Sequence, residues 1–365
     1  MDVLSCGAMT LPVRSRGVKK ASFIANLLNE DTHDNAAYRT GNELCPGTRA
    51  MDCRAGELAQ CGHVEILRVR LDRLKAQSGS ISQADCRSDD ADWAANYGQL
   101  EAIRILRAHG VHCTTDGANM AAEHGHLEIM HDLRAHGVHC TSIGADRAAQ
   151  KGHLNVIHDL RAHAVHCTSD GADKAAARAH LDVLHDLRSH GIHCTRHGAD
   201  WAAAHGHLAI VHDLRAHGVY GTSQGADDAA RSGQLDMIQD LRAHGIHCTS
   251  VAADEAACNG HLEVVRDLHV HGIRCSSWGP DGAAERGHLE VVRELRALGV
   301  HCTSSGAHRA AMYGQLEVLR DLRAQGIHCT SRSADYAASY GYLKVIRDLQ
   351  ENGIHCTAKG ADMAA

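Results

Sequence analysis

The chain reads as an all-α protein, an α-solenoid of stacked helix-turn-helix repeats with short loops between them. Three observations carry that reading. A 27-residue unit, A-D-x-A-A-x-x-G-H-L-E-V-V-x-D-L-R-A-H-G-I-H-C-T-S-x-G, runs ten times in unbroken register from Ala91 to Gly360. Self-similarity at a period of roughly 20 to 50 residues marks an array in which no unit buries its apolar face alone. Within each unit the apolar residues recur at the helical spacing of three and four rather than alternating. Aromatic content is only 3%, with Phe23 the single phenylalanine, so the core is built of Ala, Leu, Val and Ile in thin layers. A length of 365 residues would otherwise suggest two or three globular domains.

Taken in order, residues 1–54 fit no repeat and are expected to be irregular or partly disordered. Their Arg14, Arg16, Lys19 and Lys20 read as a solvated basic patch, and the opening MDVLSCGAMTLPVRSRG lacks the continuous apolar core of a secretory signal. Residues 55–90 hold a degenerate copy, Gly56 to Leu67, acting as a cap, then an expanded polar loop within Lys75 to Asp90 that contains Ser78-Gly79-Ser80.

Residues 91–360 are the ten repeats. In one of them Thr141 or Ser142 caps a first helix that carries Ala145, Ala148 and Ala149 and stops at Gly152. His153 to Ala162 form the second helix, with Leu154, Ile157 and Leu160 on one stripe, and a glycine such as Gly137, Gly191 or Gly218 closes it. Gly137 to Gly144 is a connection rather than a strand. The alanine pair occurs in all ten units, and the leucines at Leu100, Leu106, Leu343 and Leu349 are assigned to the core. Each closing glycine occurs in nine units; Ala179 and Ala164 replace them, at about 1 kcal/mol each if the site is left-handed. Residues 361–365 begin a truncated eleventh unit, leaving Leu343, Ile346 and Leu349 only partly covered.

The net charge of -7 assumes neutral histidines, and there are 32 of them, so the charge depends on pH near about 6.5. It offers no basic footprint and argues against nucleic acid as a partner. No stretch approaches the roughly 18 apolar residues of a membrane span. Nine of the fifteen cysteines fall at one repeat position, Cys113 through Cys356. Equivalent positions in stacked units lie about 10 Å apart, beyond the roughly 7 Å limit of a disulfide, so reduced thiols and an intracellular, cytoplasmic setting are expected, with the nucleus left open.

His-Cys pairs recur from His112-Cys113 to His355-Cys356, but zinc needs four ligand atoms about 2.0 to 2.3 Å from one point, and adjacent residues of an extended segment point opposite ways. No metal or cofactor site is expected. A Cys-His nucleophilic site needs one base beside one activated thiol; ten near-equal copies single out none, so no catalytic residue is assigned and the protein is not read as an enzyme. His136, His163, His190, His217 and His244 sit four residues after Asp132, Asp159, Asp186, Asp213 and Asp240, a pairing worth a few tenths of a kcal/mol at about i,i+4 near a helix end. The row Arg134, Arg161, Arg188, Arg215, Arg242 can pair laterally between units and reads as a solvated face. The mid-helix position changes from His131, His158, His185 and His212 to Arg266, Arg293, Arg320 and Arg347, which reads as drift between copies, with an acidic partner on the later units as the alternative.

The stretch Ala283-Ala284-Glu285-Arg286-Gly287-His288-Leu289-Glu290-Val291-Val292 resembles the ankyrin repeat, whose first helix ends A-A-x-x-G-H-L-E-V-V, and the match recurs in every unit. The opening T-P-L-H is absent and the period is 27 rather than 33, the missing residues falling where ankyrin repeats form a β-hairpin. Short units of this kind look like the divergent ankyrin arrays of giant DNA viruses and some protists. The resemblance, over roughly Arg54 to Ala365, implies a protein-binding scaffold, viral and facing host proteins if that likeness holds, with the first helix lining a concave face.

Positions that vary among near-identical copies are released from packing and free to diversify for recognition. They are the residue before the alanine pair, the two after it, and the one before the closing glycine, all on the first helix or its entry. The candidate partner surface is Trp93, Tyr97, Met120, Arg147, Lys174, Trp201, Trp278, Arg309, Tyr313, Tyr336 and Tyr340, which gathers all three tryptophans and matches the Trp, Tyr and Arg enrichment of interface hot spots. The expected partner is another protein, with no small-molecule substrate evident. Two alternatives remain: a substrate-recruiting adaptor of a ubiquitin ligase, although Leu11-Pro12 is a poor start for an F-box, and a pH-responsive, His-rich binding module.

Overall fold

The computed structural model describes residues 54–78, 86–357 and 360. The expectations for the N-terminal segment before Arg54, for the middle of the expanded loop and for the truncated eleventh unit fall outside the described residues. Among those described there are twenty-two helices and no strand, an α-solenoid of paired helices.

The helices fall into two compact units. The first comprises the described residues to Ala148 together with Asn155–His166. It holds α1 (Ala55–Gln60), α2 (Val64–Ser78), α3 (Ser88–Asn96), α4 (Leu100–Ala108), α5 (Thr115–Glu123), α6 (Leu127–Ala135) and most of α7 (Ser142–Lys151) and α8 (Leu154–Ala162). The degenerate copy is thus a helix pair, and α1 packs on α3 as one first helix packs on the next.

The second unit takes Ala149–Leu154 and the described residues from Cys167 onward. Its first helices are α9 (Ser169–Ala177), α11 (Arg196–Ala204), α13 (Ser223–Arg231), α15 (Ser250–Cys258), α17 (Trp278–Arg286), α19 (Ser304–Met312) and α21 (Ser331–Ser339). They alternate with second helices α10 (Leu181–Ser189), α12 (Leu208–Ala216), α14 (Leu235–Ala243), α16 (Leu262–Val270), α18 (Leu289–Ala297), α20 (Leu316–Ala324) and α22 (Leu343–Glu351).

Local chemistry sets these boundaries. Thr195 Oγ1 accepts from the His197 N–H (3.1 Å) and caps α11; Thr222, Thr249 and Thr303 do the same for α13, α15 and α19. Gly206 (φ +75°) and Gly218 (φ +79°) close a first and a second helix, a left-handed turn glycine adopts freely. The two substitutes adopt it as well: Ala164 has φ 62° and Ala179 φ 63°, at about 1–2 kcal/mol each.

Alanine pairs such as Ala202 and Ala203 are fully buried and let first helices pack side by side, α9 on α11, α11 on α13 and α15 on α17. On the second helix the core residues are Ile210, Val211 and Leu214. The leading leucine contributes less than its sequence position suggests. Leu208 is half-buried and Leu343 is 64% exposed, because this residue stands two positions, about 200° around the helix, from the buried Ile210.

Adjacent repeats are also joined by hydrogen bonds that recur at a constant offset. In most repeats an aspartate before the alanine pair, buried at Asp173, Asp200 and Asp281, grips the residue that opens the next repeat. Asp173 accepts from Thr195 N (2.7 Å) and Oγ1 (2.6 Å), Asp200 from Thr222 N (2.6 Å) and Oγ1 (2.9 Å), and Asp281 from Thr303 N (2.7 Å) and Oγ1 (2.5 Å). In one repeat Asn119 fills the role through its Oδ1, 2.9 Å from Thr141 N. The motif glycine lies close against this bond, where a Cβ on Gly198 would lie 2.5 Å from Asp173 Oδ1, yet Ala252 takes the same place beside Asp227 with both bonds to Thr249 intact (2.7 and 2.6 Å). Where the aspartate is replaced by His308, the glycine is replaced by Ser333, and His308 Nδ1 lies 2.7 Å from Ser333 Oγ.

Candidate binding surface

The cysteines belong to the same interlock. Cys113 Sγ donates to Ala91 O (3.3 Å), Cys248 to Ala226 O (3.4 Å) and Cys302 to Pro280 O (3.2 Å), and the described cysteines are free thiols. Burial, reinforced by Asp92, Asp227 and Asp281 respectively, pushes Cys113, Cys248 and Cys302 up to about 12. A thiol held neutral in this way is a packing and hydrogen-bonding group, not a nucleophile. Its neighbours His112, His247 and His301 are exposed, and among the described residues no group of three or more His, Cys, Asp or Glu could hold a metal ion.

The remaining histidines divide by location. At the start of the second helix, His126 Nε2 reaches Asn96 O (3.2 Å), His207 reaches Ala177 O (3.2 Å) and His261 reaches Arg231 O (2.9 Å), each on the preceding repeat. Burial pushes His207 and His288 down. At the end of the second helix, His136, His163 and His244 aim Nδ1 at the carbonyl of Asp132, Asp159 and Asp240 (2.7–2.8 Å) and stand 3.7–3.9 Å from the carboxylates. They cap orphan helix carbonyls more than they pair with the acids.

The acids are taken by the preceding repeat. Asp132 is gripped by Arg107 (2.6 Å) and Arg104 (3.2 Å), Asp213 by Arg188 and His185 (3.1 Å), and Asp321 by Arg296 (2.5 Å) and Arg293 (3.0 Å). Burial alone would raise these carboxyls, yet the hydrogen bonds and charge of the two partners outweigh it and hold Asp132, Asp213 and Asp321 below the usual range. The arginine row is therefore an inter-repeat clasp over half-buried aspartates, not a solvated face. Its mid-helix change from histidine to arginine preserves one bond: His185 to Asp213 and Arg293 to Asp321 occupy the same place.

The variable positions lie apart from this machinery, on the first helices. In the first unit Trp93 (43% exposed) stacks on Tyr97 at 6.0 Å between centroids, Met120 is half-buried, and Arg147 pairs with Glu123 (3.3 Å). In the second unit Lys174 pairs with Asp170 (2.6 Å), and Trp201 (39% exposed) lies 6.5 Å from His197. Trp278 is 54% exposed at the start of α17, and Arg309 pairs with Glu285 (2.8 Å). Tyr313 and Tyr340 are exposed, while Tyr336 is half-buried between the edge of His308 (5.6 Å) and the guanidinium of Arg332 (5.7 Å). Four of the eleven candidates thus belong to the first unit and seven to the second.

Sequence comparison overlooked Arg231, Cys258, Asn259 and Arg286, which join Glu255, Gly282 and Glu285 around a cleft of about 260 Å³ between Trp278 and Arg309. A signal for it existed. Opposite charges 24 residues apart, Arg231 with Glu255 (2.6 Å) and Glu285 with Arg309 (2.8 Å), meet across neighbouring first helices.

No family model and no curated protein matches the chain. Among solved structures it is similar to the pentatricopeptide repeat protein PPR10 in complex with an 18-nt psaJ RNA element, at 12% identity and a TM-score of 0.45, over 96% of this chain and 58% of that one. It is likewise similar to PPR10 from maize, at 12% identity and a TM-score of 0.40, over 95% of this chain and 60% of that one. The chain therefore spans less than two thirds of the length of these proteins. The expectation against nucleic acid as a partner is corrected here: one of these similar helical-repeat proteins is crystallised with RNA. Net charge summed over the whole chain was the wrong quantity, because a partner meets a local face rather than the sum.

Proposed function

We propose that this protein is a non-catalytic binding scaffold that holds another protein against the exposed face of its first helices, in a reducing, intracellular setting. One observation carries the reading. In a chain with 3% aromatic residues, all three tryptophans stand on first helices and are 39–54% exposed, which leaves about half of each open to a partner. Exposed aromatics interleaved with Arg and Met are the residues that dominate interface energetics. The charges beside them alternate in sign, as in Asp228, Arg231 and Glu255, a pattern suited to a protein surface of mixed charge. The recurring A-A-x-x-G-H-L-E-V-V run supports an ankyrin-like scaffold, and the free thiols support the reducing setting.

The test is affinity capture from cells with the intact chain and with a Trp93→Ala, Trp201→Ala, Trp278→Ala variant, each checked by circular dichroism and thermal melting. The variant should keep the parent's helical circular dichroism and a cooperative, somewhat lower melt, and lose the captured protein. Undiminished capture, or capture abolished by ribonuclease, would overturn the reading.

A further inference from the structure

The cleft on α13, α15, α17 and α19 differs from the rest of the first-helix face because the side chain before its alanine pair is missing. Gly282 stands where other repeats carry Trp201, Asp228, Glu255 or Arg309, and a Cβ there would collide with Cys258 Sγ. The buried Cys258 thus forms the floor. The two walls are ion pairs already satisfied: Arg231 with Glu255 (2.6 Å) and with Asp228 (2.7 Å), and Arg309 with Glu285 (2.8 Å).

Arg286 is different. It is exposed and donates to Asn259 Oδ1, a neutral acceptor, and it takes part in no ion pair among the described residues. Asn259 is itself fixed, its Nδ2 donating to Arg231 O (3.1 Å). The guanidinium is therefore oriented before any partner arrives, and a fork of five N–H donors keeps several free after one bond to Asn259. Trp278 stands at the rim, 54% exposed. At about 260 Å³ the cleft falls below the roughly 300–1,000 Å³ of small-molecule pockets; its size fits one side chain of a larger partner.

We infer that this cleft takes an aspartate or glutamate side chain of a partner protein, with its carboxylate on Arg286 and the adjacent residue of the partner packed on Trp278. Planar, bidentate recognition of carboxylate is what an oriented guanidinium does best. A single carboxylate is favoured over a chain of phosphates because Glu255 and Glu285 already neutralise Arg231 and Arg309, which leaves Arg286 as the one cation of the cleft lining without an ion pair among the described residues, a match for one anionic group. The inference rests on the protein-binding reading and adds the chemistry of the contact.

The probe is a phage-displayed library of random dodecapeptides selected on the immobilised full chain, followed by synthesis of the best peptide and its Glu→Gln or Asp→Asn variant. Selection should enrich an acidic residue beside an apolar one. Arg286→Gln should weaken the acidic peptide by roughly ten- to a hundredfold while leaving the amide peptide unchanged, and Trp278→Ala should weaken both. Both residues are exposed, so an unchanged melting curve confirms folding. Peptides that bind but ignore Arg286→Gln would overturn the carboxylate cleft and leave the protein-binding reading standing. An absence of selectable peptides would overturn both. Binding of an 18-nt single-stranded RNA that Arg286→Gln abolishes would overturn the inference in favour of phosphate.

Discussion

Replacing Asp173 by alanine and by asparagine should give clearly different losses. Asp173 is 5% exposed and accepts two hydrogen bonds, from Thr195 N (2.7 Å) and Thr195 Oγ1 (2.6 Å). Alanine removes both acceptors and leaves two donors in a half-buried turn. Hydrogen bonds to a charged group are worth about 1.5–3 kcal/mol each, and partial access of water to Thr195 returns some of this, so a loss of about 3 kcal/mol is expected. Asparagine keeps its Oδ1 as acceptor for the Thr195 amide and, at a longer distance, for the Thr195 hydroxyl. The chain contains this arrangement at Asn119, whose Oδ1 accepts from Thr141 N (2.9 Å) and Thr141 Oγ1 (3.3 Å). Asp173→Asn should therefore cost about 1 kcal/mol. Because a repeat array can open in pieces, the assay is urea unfolding combined with native-state hydrogen exchange at the Thr195 amide. Alanine should raise that exchange by about a hundredfold and asparagine by less than about tenfold. Equal losses for the two variants, or an unaffected Thr195 amide, would refute the interlock.

Other consequences follow from the same geometry. Ala164→Gly and Ala179→Gly relieve a left-handed strain of about 1–2 kcal/mol against an added chain entropy of about 0.4–1 kcal/mol; each should raise the urea midpoint, and a fall would show the strain is absent. Asp213 is held below its unfolded value of about 3.9. Its contribution is present above that value and lost as pH falls through the lower folded value, so Asp213→Asn should flatten the acid limb of an unfolding titration below about pH 4, and an unchanged limb would count against it. Cys113 and Cys302, buried and pushed up to about 12, should resist iodoacetamide at about pH 8 until the chain unfolds, whereas the exposed Cys61 reacts at once by peptide mapping. Native labelling of Cys113 would mean that its turn opens.

The repeat made the helix pairs legible, because alanine pairs, closing glycines and the 3.6-residue stripe are local signals. Ala164 and Ala179 showed as departures from that pattern and hold the strained backbone it implies. The aspartate and threonine clasp was harder to see. Its two halves are 22 residues apart, and each has a sufficient local role, the threonine as a cap and the aspartate as part of a familiar motif. The leading leucine of the second helix misled because composition marks it as core while its angle around the helix does not. The exposure of the tryptophans was foreseen from their variability, but the cleft was not, because it is made by an absent side chain at Gly282 and by charges that meet only across neighbouring repeats.

The bonds between repeats have one further meaning, for how such a gene can change. Most repeats supply an aspartate forward and a threonine backward, and Asn119 and Ser276 serve in the same places, so almost any unit can follow any other, and copying or deleting a whole unit leaves complete clasps on both sides. His308 and Ser333 are the exception. They work only as neighbours, and a unit inserted between them would set a histidine against a glycine and an aspartate against a serine. That junction is therefore where the array should tolerate recombination least.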